Sequence, residues 1–201
     1  MISAIIPARG GSKGILGKNL KEINGIPLLG YPIIAAKDSK YISEVYVSTD
    51  SEDIKSVALK YGAKVIDRPK ELAGDHSLDI DVMKHAVEYL NLNNDIAHLR
   101  ATTPMIQSKV LDEAIEFYND NTACTSLRSA HEASETAYKS FKLPKTYQAN
   151  GYIDIIKPKQ FMDSESLHGD KILAFITEYT HEVDTLMDFK VLQVLYDKNK
   201  K

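Results

Sequence analysis

The sequence predicts an α/β fold: a single three-layer domain in which a mostly parallel sheet carries helices on both faces. Three observations support this. Strand-like and helix-like stretches take turns along the chain, the pattern of a parallel sheet with crossover helices. The first stretch, Ile2–Pro7, is a short β-branched apolar run, as a strand buried on both faces requires. The length of 201 residues, 43% hydrophobic and 26% charged, gives one domain a substantial core and is too short for two ordinary domains.

The first strand empties into a stretch rich in glycine and cations, residues 9–18. Residues 27–36 are apolar enough for a buried helix, and Val45-Tyr46-Val47 reads as a second strand. Ile54, Val57, Ala58 and Tyr61 fall at i, i+3, i+4 and i+7, one apolar face of a helix capped at Asp50 or Ser51. Residues 63–66 give a third strand, 81–90 a helix, and 96–99 a fourth strand stopping at Arg100-Ala101-Thr102-Thr103-Pro104. A helix over 109–118 and a strand over 124–127 continue the alternation. Periodicity fails over 130–144. A strand over 151–156, a short one over 173–176 and a closing amphipathic helix marked by Phe189, Leu192 and Leu195 complete the domain. Ligands of such sheets sit beyond the carboxyl ends of the strands, so the loop over 9–18 is the first place to look for chemistry.

A formal charge of -3 argues against a nucleic-acid backbone or an anionic membrane as the main partner, because both need a basic excess. An anionic substrate must instead meet a local cluster of cations. Cys124 is the only cysteine, which excludes an intramolecular disulfide and multi-cysteine zinc sites and fits a reducing, cytoplasmic setting. It is expected to pack in its strand. The apolar run at the N-terminus is too short for a signal peptide, and no later run is long enough to span a membrane. His76, His85, His98, His131, His168 and His181 lack metal-type pairing and are expected at the surface or as satisfied core residues. No Gly-x-Ser-x-Gly elbow marks a serine hydrolase.

The strongest local signal is Pro7-Ala8-Arg9-Gly10-Gly11-Ser12-Lys13-Gly14 with Gly17-Lys18-Asn19 behind it. Its glycines let backbone N–H groups approach phosphate oxygens, and Arg9, Lys13 and Lys18 offer cations to a triphosphate. It is not a Walker loop, since Asn19 stands where Ser or Thr must follow the Gly-Lys pair. No window fits the dinucleotide fingerprint either.

The whole string resembles the nucleotide-binding loop of the acylneuraminate cytidylyltransferase family, the makers of CMP-sialic acids and related CMP-sugars. Other stretches resemble that family in the right order: Val47-Ser48-Thr49-Asp50, Arg68-Pro69 with Leu72-Ala73 and Asp75, Thr102-Thr103-Pro104, Asn150-Gly151-Tyr152, and Glu182-Val183-Asp184-Thr185. The Leu-Arg-x-Thr-Thr-Pro form and the Gly-Tyr-Ile-Asp-Ile strand look most like enzymes acting on legionaminic-type sugars. The related Kdo cytidylyltransferases carry a different loop after Pro-Ala-Arg.

The resemblance implies a Rossmann-like nucleotidyltransferase fold, CTP and an acidic nine-carbon sugar as substrates, and Mg²⁺ as the metal. It implies that Arg9 and Lys18 contact the CTP phosphates and stabilise the leaving pyrophosphate, with Ala8, Gly10, Gly11, Ser12, Lys13 and Asn19 completing the loop. Arg68 takes the position that helps select the pyrimidine, with Asp75 lining the same side. Arg100, Thr102, Thr103, Asn150 and Tyr152 are the candidates for the sugar, and Asp154 reads equally well as a strand residue facing water. Asp184 resembles the second carboxylate of the family's Asp-x-Asp pair, with Glu182 in place of the first, and two carboxylates two apart on an extended segment face the same way. A plainer reading makes Asp184 the cap of the final helix and leaves Glu182 in solvent.

The chain departs from its relatives in two places. Met105-Ile106-Gln107 lacks the arginine the family carries soon after the proline. The segment over 138–148 is shortened where relatives carry an excursion toward a partner subunit, which counts against a homodimer and against closure of the sugar site. Two rival readings therefore stand beside cytidyl transfer: use of another nucleotide or acidic acceptor, and nucleotide binding without turnover.

Overall fold

The computed structural model describes residues 1–11, 14–133 and 145–198, with the side chain of Lys198 excepted. Its first strand, β1 (Ile2–Pro7), lies at the centre of the sheet because apolar side chains on both faces need cover. Ala4 and Ile6 point into one core cluster and Ile5 into the other. Lys18–Leu20 forms a single 3-10 turn, followed by a two-stranded ribbon of β2 (Glu22–Ile23) and β3 (Ile26–Pro27). Asn24 and Gly25, with φ of 53° and 76°, turn that ribbon. The chain continues through α1 (Gly30–Lys37), β4 (Ile42–Thr49), α2 (Glu52–Lys60) and β5 (Lys64–Asp67). Then come α3 (Asp79–Leu90), β6 (Ile96–His98), α4 (Ser108–Asp120) and β7 (Ser126–Glu132). β8 (Tyr147–Ile156), α5 (Pro158–Phe161), β9 (Ile172–Ile176) and α6 (Leu186–Lys198) close the domain.

The seven-stranded sheet runs β5-β4-β1-β6-β8-β7-β9. β8 pairs antiparallel with both β6 and β7, and the other neighbours are parallel, so the sheet is mostly parallel as expected. One face packs on α1, α2 and α4 through Ile33, Ile54, Leu111 and Ile115, and the other on α3 and α5 through Met83, Val87 and Phe161. α6 lies to one side with the ribbon, joined through Ile15, Ile23, Val183 and Leu192. Among the described residues no helix is long and apolar enough to cross a membrane.

Three expectations are corrected. Cys124 sits half-buried in the turn before β7, where its carbonyl accepts from Lys157 Nζ at 3.0 Å. Residues 130–132 continue β7, because pairing with Tyr147, Gln148 and Ala149 sustains a strand whose own alternation is weak. Asp154 is 1% exposed rather than facing water, since arginines from both sides cover it. Most of the shortened segment, 138–144, lies outside the described residues.

Candidate active site

The carboxyl ends of β1, β4, β5 and β6 gather the predicted residues. The loop leaves β1 with Ala8 buried and its N–H donating to Ser48 O at 3.0 Å, which carries the β1–β4 pairing one step further. The Gly10 N–H then donates to Asp50 Oδ1 at 2.9 Å, so Asp50 anchors the loop while Ser51 occupies the N-cap position of α2. Asn19 Nδ2 turns back to Arg9 O at 3.1 Å, shaping the loop from within. Gly11 is exposed, and Ser12 and Lys13 lie outside the described residues.

Arg9 Nη1 spans a cleft of about 270 Å³, donating to Gly74 O and Asp75 Oδ1, both at 3.0 Å. Arg68 lines the same cleft from beneath, buried, with Nε on Ser48 Oγ at 3.1 Å and Nη2 on Ser48 O. Burial, with help from Arg9, pushes its pKa down to about 10 against the pull of Asp50 and Asp79, so it stays charged at neutral pH. Ser77 and Asp79 complete the wall. A larger cavity of about 600 Å³ lies by Asn91, Asp95 and Lys157, at the amino end of β6, the wrong end for a ligand of such a sheet.

On the other flank Lys18 Nζ donates to Val183 O at 2.6 Å and to Asp184 Oδ1 at 3.1 Å. The Val183 N–H in turn donates to Thr102 O at 2.8 Å, locking this segment to the end of β6. Glu182 and Asp184 are exposed on either side of buried Val183. Thr102 donates to Glu182 Oε1 at 2.9 Å. Gly14 packs against this segment so closely that a Cβ there would lie 2.5 Å from Asp184 O.

The plainer reading of Asp184 fails on one observation: α6 is capped by its neighbours. Asp188 Oδ2 accepts from the Thr185 N–H at 2.7 Å and the Thr185 hydroxyl at 2.8 Å, while the Asp188 N–H donates back to Thr185 Oγ1 at 3.3 Å. Those bonds hold the Asp188 carboxyl below its ordinary pKa. The Asp184 carboxylate is left to Lys18 and solvent. Glu182 and Asp184, each with one oxygen unpartnered among the described residues, are the two carboxylates that would hold a divalent cation, with no third metal-type side chain grouped beside them among the described residues.

The predicted sugar residues divide. Thr102 faces Glu182, but Thr103 is buried with its hydroxyl on Arg100 O at 3.0 Å. Asn150 is buried between Ser129 Oγ and Thr177 Oγ1. Tyr152 donates to Met105 O at 2.8 Å and lines a separate groove with Gln107 and Tyr179. These two support the sheet end, and their side chains do not line the cleft between Arg9 and Arg68. Arg100 is drawn into a charged cluster around the buried Asp154, with Asp79 and Arg128 at its exposed edges. His98 lies in that cluster, 1% exposed, with Nδ1 3.9 Å from Asp154 Oδ2 and without a hydrogen bond among the described residues, so it is not the satisfied core histidine expected. Burial, then Arg100, push its pKa down to about 4.

Comparison with known proteins bears on this arrangement. A family profile described as cytidylyltransferase matches residues 3–192. The post-translational flagellin modification protein B of Campylobacter coli is 34% identical, over 96% of this chain and 94% of its own length. A pseudaminic acid cytidylyltransferase of Campylobacter jejuni is 31% identical, over 97% of this chain and 96% of its own. The N-acylneuraminate cytidylyltransferase of Escherichia coli O18:K1:H7 is 30% identical over 100% of this chain, which spans 53% of that relative's length. Among solved structures, a CMP:2-keto-3-deoxy-manno-octonic acid synthetase complexed with CTP has a TM-score of 0.83 at 18% identity, covering 98% of this chain and 99% of that one, a likeness of fold.

Proposed function

Because the chain belongs to the cytidylyltransferase family, we propose that it transfers CMP from CTP to the anomeric hydroxyl of an acidic nine-carbon sugar and releases pyrophosphate. The observation that carries this reading is the meeting of the glycine-rich loop with the carboxylate segment, Lys18 on Asp184, opposite the Arg9 and Arg68 cleft. The hydroxyl oxygen attacks the α-phosphorus and gives its proton to solvent, a bond from oxygen to phosphorus forms, and the bond to the β-phosphate bridge breaks with its electron pair leaving on pyrophosphate. Arg9 and Lys18 face the phosphates and stabilise the charge that develops on the leaving group. Arg68, held rigidly beneath the cleft, positions the pyrimidine side of the nucleotide.

Asp184 and Glu182 are the residues that would hold Mg²⁺, whose chemistry is to neutralise the α-phosphate for attack. Relatives named for N-acylneuraminate and for pseudaminic acid both support a nonulosonic acceptor, with sialic, legionaminic and pseudaminic acids as the class. The test is mass spectrometry of the product after incubation with CTP, Mg²⁺ and each of these acids. A CMP-sugar of the matching mass is expected, and unchanged CTP with every acid would overturn the reading.

A further inference from the structure

Two guanidiniums flank the buried carboxylate of Asp154, and they are in different states. Arg100 is turned into the fold by both ends of its fork: Nη1 donates to Gly151 O at 3.0 Å and Asp154 Oδ2 at 3.3 Å, and Nη2 reaches Asp79 Oδ2 at 3.4 Å. Arg128 sets only its inner nitrogen toward the carboxylate, Nε 3.3 Å from Oδ1, an ion pair in which both atoms are buried and neither has a hydrogen-bond partner among the described residues. Its side chain is nevertheless 34% exposed, and among the described residues neither terminal nitrogen has a hydrogen-bond partner. A guanidinium held at its inner end by charge alone, with its fork free, can offer that fork to an acceptor oxygen.

The register places that fork. His98, Asp154 and Arg128 stand side by side across β6, β8 and β7, on the face that carries α3 and level with the carboxyl end of β6. Arg128 is thus two strand spacings, about 10 Å, from His98 at the carboxyl end of β6. Asp79, which lines the nucleotide cleft, joins the same row through Arg100. The acceptor's own carboxylate hangs on the attacking carbon, at the reacting end of the sugar. What extends toward a point two strands away is the far end of the sugar.

Resting on the cytidyl transfer proposed above, we infer that Arg128 is a specificity-determining residue for the acceptor. Its two terminal NH₂ groups grip an oxygen remote from the attacking carbon, the amide carbonyl of an N-acylated sugar, and Asp154 is the positioning residue that orients them.

The test is steady-state kinetics of the full chain and its Arg128→Gln and Arg128→Lys variants, with N-acetylneuraminate, legionaminate and pseudaminate as acceptors. A nine-carbon acid carrying hydroxyl in place of the amide serves as comparison. Arg128→Gln is expected to raise the KM for N-acylated acceptors roughly ten- to hundredfold without changing the KM for CTP. Arg128→Lys, which keeps the charge and the fold but loses the fork, recovers little of it. The gap between wild type and variant shrinks on the hydroxyl acceptor. An unchanged acceptor KM, or kcat and both KM values moving together as a packing defect would make them, overturns the inference. Wild-type silence with every acceptor overturns the proposed transfer and this inference with it, whereas wild-type turnover with an unchanged variant KM overturns the inference alone.

Discussion

Lys18 Nζ lies 3.1 Å from Asp184 Oδ1 across 166 residues of sequence, and it is this contact that closes the glycine-rich loop onto the carboxylate segment. Lys18 is 13% exposed and also holds Val183 O, so its ammonium is fixed before any ligand arrives. Pre-placed charge of this kind acts on a transition state without reorganisation. Lys18→Ala is therefore expected to lower kcat/KM for CTP by about 10²–10³-fold. A variant retaining wild-type pyrophosphate release would remove Lys18 from the mechanism.

The separation of Asp184 from the helix cap gives a paired prediction. Thr185→Ala removes one half of the cap of α6 and is expected to cost about 1 kcal/mol in urea denaturation while leaving the Mg²⁺ concentration dependence in place. Asp184→Asn is expected to shift or abolish that dependence with a smaller effect on stability. The two phenotypes exchanged between the variants would show that Asp184 is the cap after all.

Gly14→Ala forces a Cβ to within 2.5 Å of Asp184 O, a backbone atom that cannot swing aside, while at Gly11 a Cβ meets nothing within 4 Å. Gly14→Ala is expected to lower the thermal midpoint by an amount equivalent to roughly 1–3 kcal/mol, and Gly11→Ala to leave it unchanged. Equal midpoints for both variants would contradict the close approach of loop and segment.

His98 gives the fold a pH dependence whose sign is fixed. Its folded pKa, about 4, lies below the ordinary value of 6.5, so between those values the unfolded chain binds the extra proton. The stability that neutral His98 contributes is present above pH 6.5 and is lost as pH falls toward 4; His168, also lowered by burial, adds in the same direction. Urea midpoints measured across this window should fall with pH, and His98→Gln should flatten the fall. An equal slope in the variant would assign it elsewhere.

Asp154 carries the opposite risk. Removing the charge with Asp154→Asn leaves Arg100 and Arg128 against a neutral group in a mostly buried row, and is expected to destabilise the fold on the order of 3 kcal/mol. Denaturation of the variant at neutral pH checks this, and a change below 1 kcal/mol would mean that solvent already screens the row.

Much of this was legible in the sequence, and the rest depended on distance along the chain. The α/β alternation, the loop after β1 and the positions of Arg9 and Arg68 on one cleft follow from local pattern and motif order. The ribbon around Asn24-Gly25 carries a recognisable turn signal, but strands of two residues have no period to read. Asp154 stands between apolar neighbours in a strand, the pattern of a water-facing residue. Only pairing with β6 and β7 buries it, and that is a tertiary fact. Asp184 and Asp188 offer the same chemistry four residues apart, and backbone geometry alone assigns the cap to one of them. Its motif points Arg100 to the sugar, whereas its hydrogen bonds face the fold.

Pyrophosphate release measured with Mg²⁺, each of the four NTPs in turn, and sialic, legionaminic and pseudaminic acids is the most direct test. The account predicts release with CTP alone among the nucleotides, and only in the presence of one or more of the nine-carbon acids. Release driven by another nucleotide, or tight CTP binding without turnover on any acid, would contradict it.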